Sequence, residues 1–301
     1  MKFCSRIILL CKEGEKKLHN KYEIIGKRVL NEQVTLMKIY APNVARKAQP
    51  GQFIIFRIDE QGERIPLTIA DFSREEGSIT IIFQKVGKTT YQLAEMNEGE
   101  CLADFAGPLG KASELEGYKK VAVIGGGLGT AIAYPQAKKL KELGAEVHMI
   151  TGFRNKELII LEEECSNVSD ECIIATDDGS NGNKGFVTDM LKNMIEKGEK
   201  YDLVIAIGPL PMMKFVSLLT KEYGIKTIVS MNPVMIDGTG MCGGCRVTVG
   251  GETKFACVDG PDFDGHLVDF DMAMRRQQSF KKQEADALEK HKCRMEGMKN
   301  G

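Results

Sequence analysis

Between Lys120 and Ser230 short apolar runs alternate with helix-forming stretches, and that alternation leaves few folds open. Val121-Ala122-Val123-Ile124 is apolar at every position, as expected of a strand covered on both faces. Gly125-Gly126-Gly127-Leu128-Gly129 follows at once and opens a predicted helix that runs to about Leu143. Strand 146–151, a helix near 158–164, strand 171–175, a helix over 184–197, strand 203–207, a helix over 212–222 and strand 227–230 complete the series. This pattern specifies a doubly wound parallel sheet, which takes its ligands at the carboxyl ends of its strands. Gly125, Gly127 and Gly129 let a pyrophosphate approach the backbone. The helix that begins near Thr130 offers N–H donors and a partial positive charge. Gly208-Pro209-Leu210-Pro211 closes a later strand at the same edge. A tight strand–helix turn without a ligand is the plainer alternative.

Upstream, residues 21–116 read as short strands. Segments 33–41, 51–58, 66–72 and 78–84 are rich in Val, Ile, Thr and Phe and are separated by turn pairs such as Pro50-Gly51 and Glu76-Gly77. Repeated strands of this kind predict a small antiparallel barrel, interrupted by one helix around 89–96. The expected division is an extension over 1–20, a barrel over 21–116, an α/β nucleotide domain over 117–230, a cysteine-bearing loop domain over 231–270 and a charged helical tail over 271–301. The fold class is thus α/β plus all-β.

A net charge of −1, no basic stripe and no Trp argue against nucleic acid. No apolar run is long enough to span a bilayer, and none near the start suits a signal peptide, so a cytoplasmic, membrane-free protein is expected. Nine cysteines in such a compartment are not a disulfide framework. Six are scattered; Cys242, Cys245 and Cys257 cluster.

That cluster is the most specific site. Asp237-Gly238-Thr239-Gly240-Met241-Cys242-Gly243-Gly244-Cys245, followed by Cys257, has the offsets of a plant-type [2Fe–2S] loop with Asp at the first ligand position. The carboxylate keeps the ligand charge but is a harder donor, so a shifted potential is expected, with no sign assigned. Zinc on three thiolates and one carboxylate is the alternative. A further candidate site pairs Arg64-Ile65-Pro66-Leu67-Thr68 with Gly87-Lys88-Thr89-Thr90. The Arg is able to grip a phosphate through two parallel hydrogen bonds, and the second segment opens a helix. Taken singly, each is as readily an exposed Arg and a capped helix start.

On these segments, and on Asp177-Asp178-Gly179-Ser180 with Gly182 and Gly185, the chain resembles the ferredoxin-reductase-type flavoproteins over about 21–270. The branch is that of the dihydroorotate dehydrogenase electron-transfer subunit. Within it, Asp237 and Met274-Arg275-Arg276-Gln277-Gln278 resemble the small subunits of electron-bifurcating transhydrogenases, the NADH-dependent reduced ferredoxin:NADP oxidoreductases. The resemblance implies FAD on Arg64, Pro66, Leu67, Thr68, Gly87, Lys88, Thr89 and Thr90. It implies NAD(H) as substrate on Gly125, Gly127, Gly129, Thr130 and Gly208. Asp177 and Asp178 face the cofactors, although Asp178 is equally a turn residue, and Arg154 is either a ribose contact or a solvated side chain. A [2Fe–2S] cluster on Asp237, Cys242, Cys245 and Cys257 completes the set. No catalytic side chain is expected, because hydride transfer needs only stacked rings.

The implied partner is a large flavin/iron–sulfur subunit, which connects this chain indirectly to ferredoxin and NADP. The tail from Asp271 is either a docking element or a solvated helix. Two rival readings remain: a dihydroorotate dehydrogenase or hydrogenase-type diaphorase subunit, and a zinc-stabilised nucleotide-binding module without turnover.

Overall fold

A computed structural model describes residues 19–299. The expected extension over 1–20 therefore lies, apart from His19 and Asn20, outside the described residues. The first layer contains β1 (Ile24–Val29), β2 (Val34–Tyr40), the one-turn α1 (Pro42–Ala45), β3 (Phe53–Arg57), β4 (Ile65–Ser73), β5 (Ser78–Gln84), α2 (Lys88–Glu95) and β6 (Asp104–Leu109). Its six strands form one antiparallel sheet in the order β1-β2-β5-β4-β3-β6. The sheet curls until its two ends meet: Ile24 N–H donates to the Glu100 carbonyl at 2.8 Å and Leu102 N–H to the Tyr22 carbonyl at 3.1 Å. Closure removes the sheet edges and encloses a core of Phe56, Phe83, Phe105, Ile39 of β2, Ile69 of β4, and Ile79 and Ile81 of β5. β1 and β6 have weaker alternation than the strands between them and were not legible as strands in the sequence.

The second layer is β7 (Lys120–Gly126), α3 (Gly129–Glu142), β8 (Glu146–Phe153), α4 (Glu162–Asn167), β9 (Glu171–Thr176), α5 (Val187–Glu196), β10 (Leu203–Ile207), α6 (Leu210–Glu222) and β11 (Thr227–Ser230). Strand periodicity divides it cleanly. Val121 and Val123 join one core with Val147, Met149, Leu203 and Ile205, whereas Ala122 and Ile124 join another with Ile150, Val204 and Ala206. Both faces are covered, which is why these strands read as unbroken apolar runs.

One expectation needs correction, and one strand lies outside what the sequence foresaw. The helix foreseen near 158–164 is a single 3-10 turn, Lys156–Leu158, followed by α4, which begins four residues later than the foreseen helix and ends three residues beyond it. Ile160 and Leu161 turn into the core, Leu161 with φ +56°, and helix resumes only where three glutamates suit a helix N-terminus. The nucleotide sheet is also not wholly parallel. β14 (Asp262–Asp264), from the cysteine-bearing region, pairs antiparallel with β11, giving the order β14-β11-β10-β7-β8-β9.

Between β11 and β14 lies a hairpin, β12 (Arg246–Val249) with β13 (Glu252–Phe255), closed by Gly250-Gly251 at φ +61° and +81°. A turn with positive φ at both central residues matches the strand twist. The tail is two helices, α7 (Phe270–Gln277) and α8 (Lys281–Lys299). α7 packs on α6 and β12, and α8 reaches back to α2. Among the described residues no helix is long and apolar enough to cross a membrane.

Candidate flavin, nucleotide and iron–sulfur sites

Strand order reverses between β7 and β10, so the crevice of the nucleotide sheet opens there. Gly129 is required by close approach: a Cβ on it would stand 2.2 Å from the Ile207 carbonyl oxygen and 2.8 Å from Gly208 Cα. The two glycine-bearing turns singled out in the sequence are thus one structure. Gly127 N–H donates to the Gly152 carbonyl at 2.8 Å, which ties the same turn to β8. Thr130, in the first turn of α3, has its Oγ1 buried and without a hydrogen-bond partner, a hydroxyl suited to an anionic ligand at a helix N-terminus.

Asp177 N–H donates to Phe153 O at 2.9 Å, and Lys156 N–H to Ser180 Oγ at 2.8 Å. The Asp177–Ser180 segment is therefore stitched to the end of β8. Asp178 accepts the Ser180 amide, and this Ser180 hydrogen bonding holds its carboxyl below the usual range. That is the behaviour of a turn residue. Arg154 is exposed.

Two residues at this edge were missed by the sequence reading. Met212 sets its sulfur 2.4 Å from where a Gly126 Cβ would stand and its Cε 2.9 Å from that of Gly208, so its thioether lies over both glycines. Asn155 carries a buried, unpartnered Oδ1. Neither belongs to a motif; for Met212 the available signal was its position one turn beyond Gly208.

On the barrel, Pro66, Leu67 and Thr68 lie in β4 and Arg64 immediately precedes it. α2 begins at Lys88, with Gly87 extended before it. Its first turn meets the Arg64 segment directly, because the Thr89 hydroxyl donates to Glu63. The Thr90 hydroxyl closes its own turn, accepting from Val86 and Gly87 N–H at 3.0 Å each. The contact brings the first turn of α2 to the Glu63 carboxylate, next in the chain to Arg64, whose own side chain is exposed. Nucleotide domain and barrel meet where Lys138 of α3 pairs with Asp71 of β4 at 2.9 Å.

In the cysteine region Cys245 and Cys257 are buried with their sulfurs 3.2 Å apart. Burial, and then the Cys245 sulfur beside it, pushes the Cys257 thiol up to about 12. A thiolate at this position needs a cation to neutralise it. Cys242 is exposed, with the Gly244 N–H donating to its Sγ at 3.4 Å. Asp237 accepts from Thr239 N–H at 2.9 Å and Cys242 N–H at 2.8 Å, and these amides hold its carboxyl below the usual range. The carboxylate is so joined to Cys242, while the four side chains are not drawn together: among the described residues no three His, Cys, Asp or Glu are arranged as a metal site. The donor set still fits a [2Fe–2S] cluster: one carboxylate and two sulfurs on the 237–245 loop, where the Gly244 amide turns toward Cys242, and a third sulfur, Cys257, just past the β12–β13 hairpin. Gly238, at φ +73°, lets this loop lie on the barrel, for a Cβ there would touch Ile55 and Leu109 within 3 Å. Cys245 and Cys257 share one core with Phe53 and Ile55 of β3.

Residues 232–269 match the iron–sulfur cluster binding domain of dihydroorotate dehydrogenase B. An uncharacterised protein of Clostridium beijerinckii is 55% identical over 274 residues, covering 88% of this chain and 93% of its own length. A dihydroorotate dehydrogenase B (NAD(+)) electron transfer subunit homolog of Thermotoga maritima is 46% identical over 268 residues, covering 89% and 94%. The solved structure of an NADH-dependent reduced ferredoxin-NADP oxidoreductase, described in terms of flavin-based electron bifurcation, superposes with a TM-score of 0.86 at 44% identity. It covers 91% of this chain and 99% of its own. Barrel, nucleotide sheet and cysteine loop in this order define a ferredoxin-reductase-type electron-transfer protein. The chain belongs to the family of the dihydroorotate dehydrogenase B electron-transfer subunit and its homologues.

Proposed function

We propose that this chain is the nicotinamide-facing subunit of a heteromeric electron-bifurcating oxidoreductase, and that it exchanges electrons between NADH and a larger flavin/iron–sulfur subunit. One observation carries the reading: the two buried cysteines share a core with the barrel strand next to β4, so the iron–sulfur loop and the flavin-type barrel are a single packed unit. When bound, FAD and a [2Fe–2S] cluster supply the conversion of two-electron hydride chemistry into single-electron transfer.

The protein's own task is placement. Arg64 and the first-turn amides of α2 would hold the flavin pyrophosphate, with Pro66, Leu67 and Thr68 along its strand. Gly125, Gly127, Gly129, Thr130 and Gly208 would receive NADH at the crevice, with Asp177 and Asp178 at its rim. Met212 fills that crevice with a polarizable, adjustable side chain that keeps water out until a ring displaces it. Asp237, Cys242, Cys245 and Cys257 would ligate the cluster. Around them Met241 (88% exposed), Ile236 and Val258 present apolar surface, which suits a partner closing over the loop.

Asp237 and the 44%-identical structure favour a bifurcating partner that works with ferredoxin and NADP. The family match keeps a dihydroorotate dehydrogenase partner as the second reading. The test is to purify the chain anaerobically with whatever subunit accompanies it, to measure flavin, iron, sulfide and zinc, and to assay NADH and NADPH oxidation separately. Flavin with iron and sulfide in equal amounts, and a paramagnetic signal on reduction, are expected. Zinc without flavin sinks the reading, and the identity of the accompanying subunit decides between the partners.

A further inference from the structure

The loop between Cys242 and Cys245 is held by a residue outside the cysteine motif. α7 is anchored firmly at its start. The Asp269 side chain accepts the Met272 N–H at 2.8 Å, Asp269 N–H donates to the Thr248 carbonyl at 2.9 Å, and Asp271 pairs with Lys214 of α6 at 2.7 Å. Phe270 is buried in the same core as Cys245 and Cys257. From this fixed base the last turn of α7 projects Arg276, and its guanidinium donates to the Gly244 carbonyl at 3.2 Å. Arg246 also approaches the loop, with Nη1 3.0 Å from where a Gly243 Cβ would stand. A cavity of about 320 Å³ separates α7 from the loop and is lined by Cys242, Gly244, Arg246 and Arg276 among others.

We propose that Arg276 is a positioning residue for the iron–sulfur loop: it pins the Gly244 carbonyl between two ligand cysteines and sets a fixed positive charge against the cluster, so that the C-terminal helix tunes how readily the cluster is reduced. The inference rests on the iron–sulfur reading above. A cluster on three thiolates and a carboxylate is an anion, and its reduced form carries one more negative charge. A guanidinium stays charged at every working pH, so its presence favours the reduced form. Its planar fork also keeps the charge where the Gly244 bond puts it, which a flexible ammonium does not.

The test uses the full chain with its copurified partner and compares R276Q, R276K and R275Q. Arg275 is exposed on the same turn, so R275Q removes an equal charge further from the loop. The cluster is titrated by paramagnetic resonance against ambient potential. R276Q is expected to lower the reduced-to-oxidised ratio at the wild-type midpoint by roughly three- to tenfold, the upper end being about 59 mV for one electron. R276K and R275Q are expected to stay within about twofold. Amide exchange across residues 240–246 needs no cluster; it is expected to quicken several-fold in both R276 variants and not in R275Q. An R276Q midpoint equal to wild type, or unchanged exchange, overturns the proposal. A wild-type complex with no reducible iron signal instead overturns the functional reading itself, which keeps the two failures apart.

Discussion

The nucleotide sheet and the iron–sulfur loop solve opposite problems. In the sheet the proposed site is mostly backbone: glycines at the ends of β7 and β10 make room, with the Thr130 hydroxyl and the Met212 thioether beside them, while the strand side chains on both faces pack the cores. In the loop the proposed site is four side chains, and the backbone that presents them is held by turn glycines, a short hairpin and one arginine bond. The first kind of site has no room for a Cβ at Gly125, Gly126, Gly129 or Gly208. The second tolerates added bulk at its rim but no exchange of a ligand.

The sharpest way to break this contrast is at a ligand. Cys257→Ser is expected to abolish cluster iron entirely, while near-complete flavin remains; equal iron in mutant and wild type by colorimetric assay would reassign the loop. Next is Gly129→Ala, which forces a methyl group against the Ile207 carbonyl and Gly208. It is expected to cost about 1–3 kcal/mol in denaturant unfolding and to raise the KM for NADH well before it touches iron content.

A smaller effect is expected where the two regions join. Asp262 of β14 accepts Ser113 Oγ at 2.6 Å and lies 3.4 Å from the Gln136 amide nitrogen; Asp262 Oδ1 and Gln136 Oε1 are both buried and unpartnered. Burial raises the Asp262 carboxyl above its ordinary value, although part of the residue's surface remains exposed. With the folded value above the unfolded one, the stability contributed by the neutral acid is full below the unfolded value, near 3.9, and is lost as pH rises through the folded value. Asp262→Asn supplies a donor without a charge. It is expected to be more stable than wild type by about 1 kcal/mol at pH 7, with the difference vanishing toward pH 4 in thermal melts. A constant offset across pH would place the carboxylate in its charged form. Least is expected of Lys138→Ala. The Asp71 pair is solvent-screened, so its loss should cost under about 1 kcal/mol, and less again at high salt.

What the sequence revealed follows the same division. Period-two and unbroken apolar patterns are local, so the parallel strands and most of the barrel were legible, as were the glycine turns and the cysteine offsets. β14 has three residues and no pattern of its own; it exists only because β11 offers unpaired backbone groups. Leu161 in left-handed conformation reflects burial of its side chain, which no helix-period count foresees. The Asp262–Ser113–Gln136 contact joins residues more than a hundred positions apart. Arg276 fell in a tail read as either a docking element or a solvated helix, because its acceptor is a distant carbonyl. In the loop, motif spacing offered candidate ligands and was silent on what steadies them.

β14 has a final consequence for how the protein survives outside its complex. By lying along β11 it caps a row of amide and carbonyl groups that would otherwise face solvent as a template for another chain. A fragment ending at residue 230 would keep every parallel strand and still leave that flank bare. Such a fragment is expected to pair with itself and precipitate, so the iron–sulfur segment doubles as the nucleotide domain's guard against aggregation.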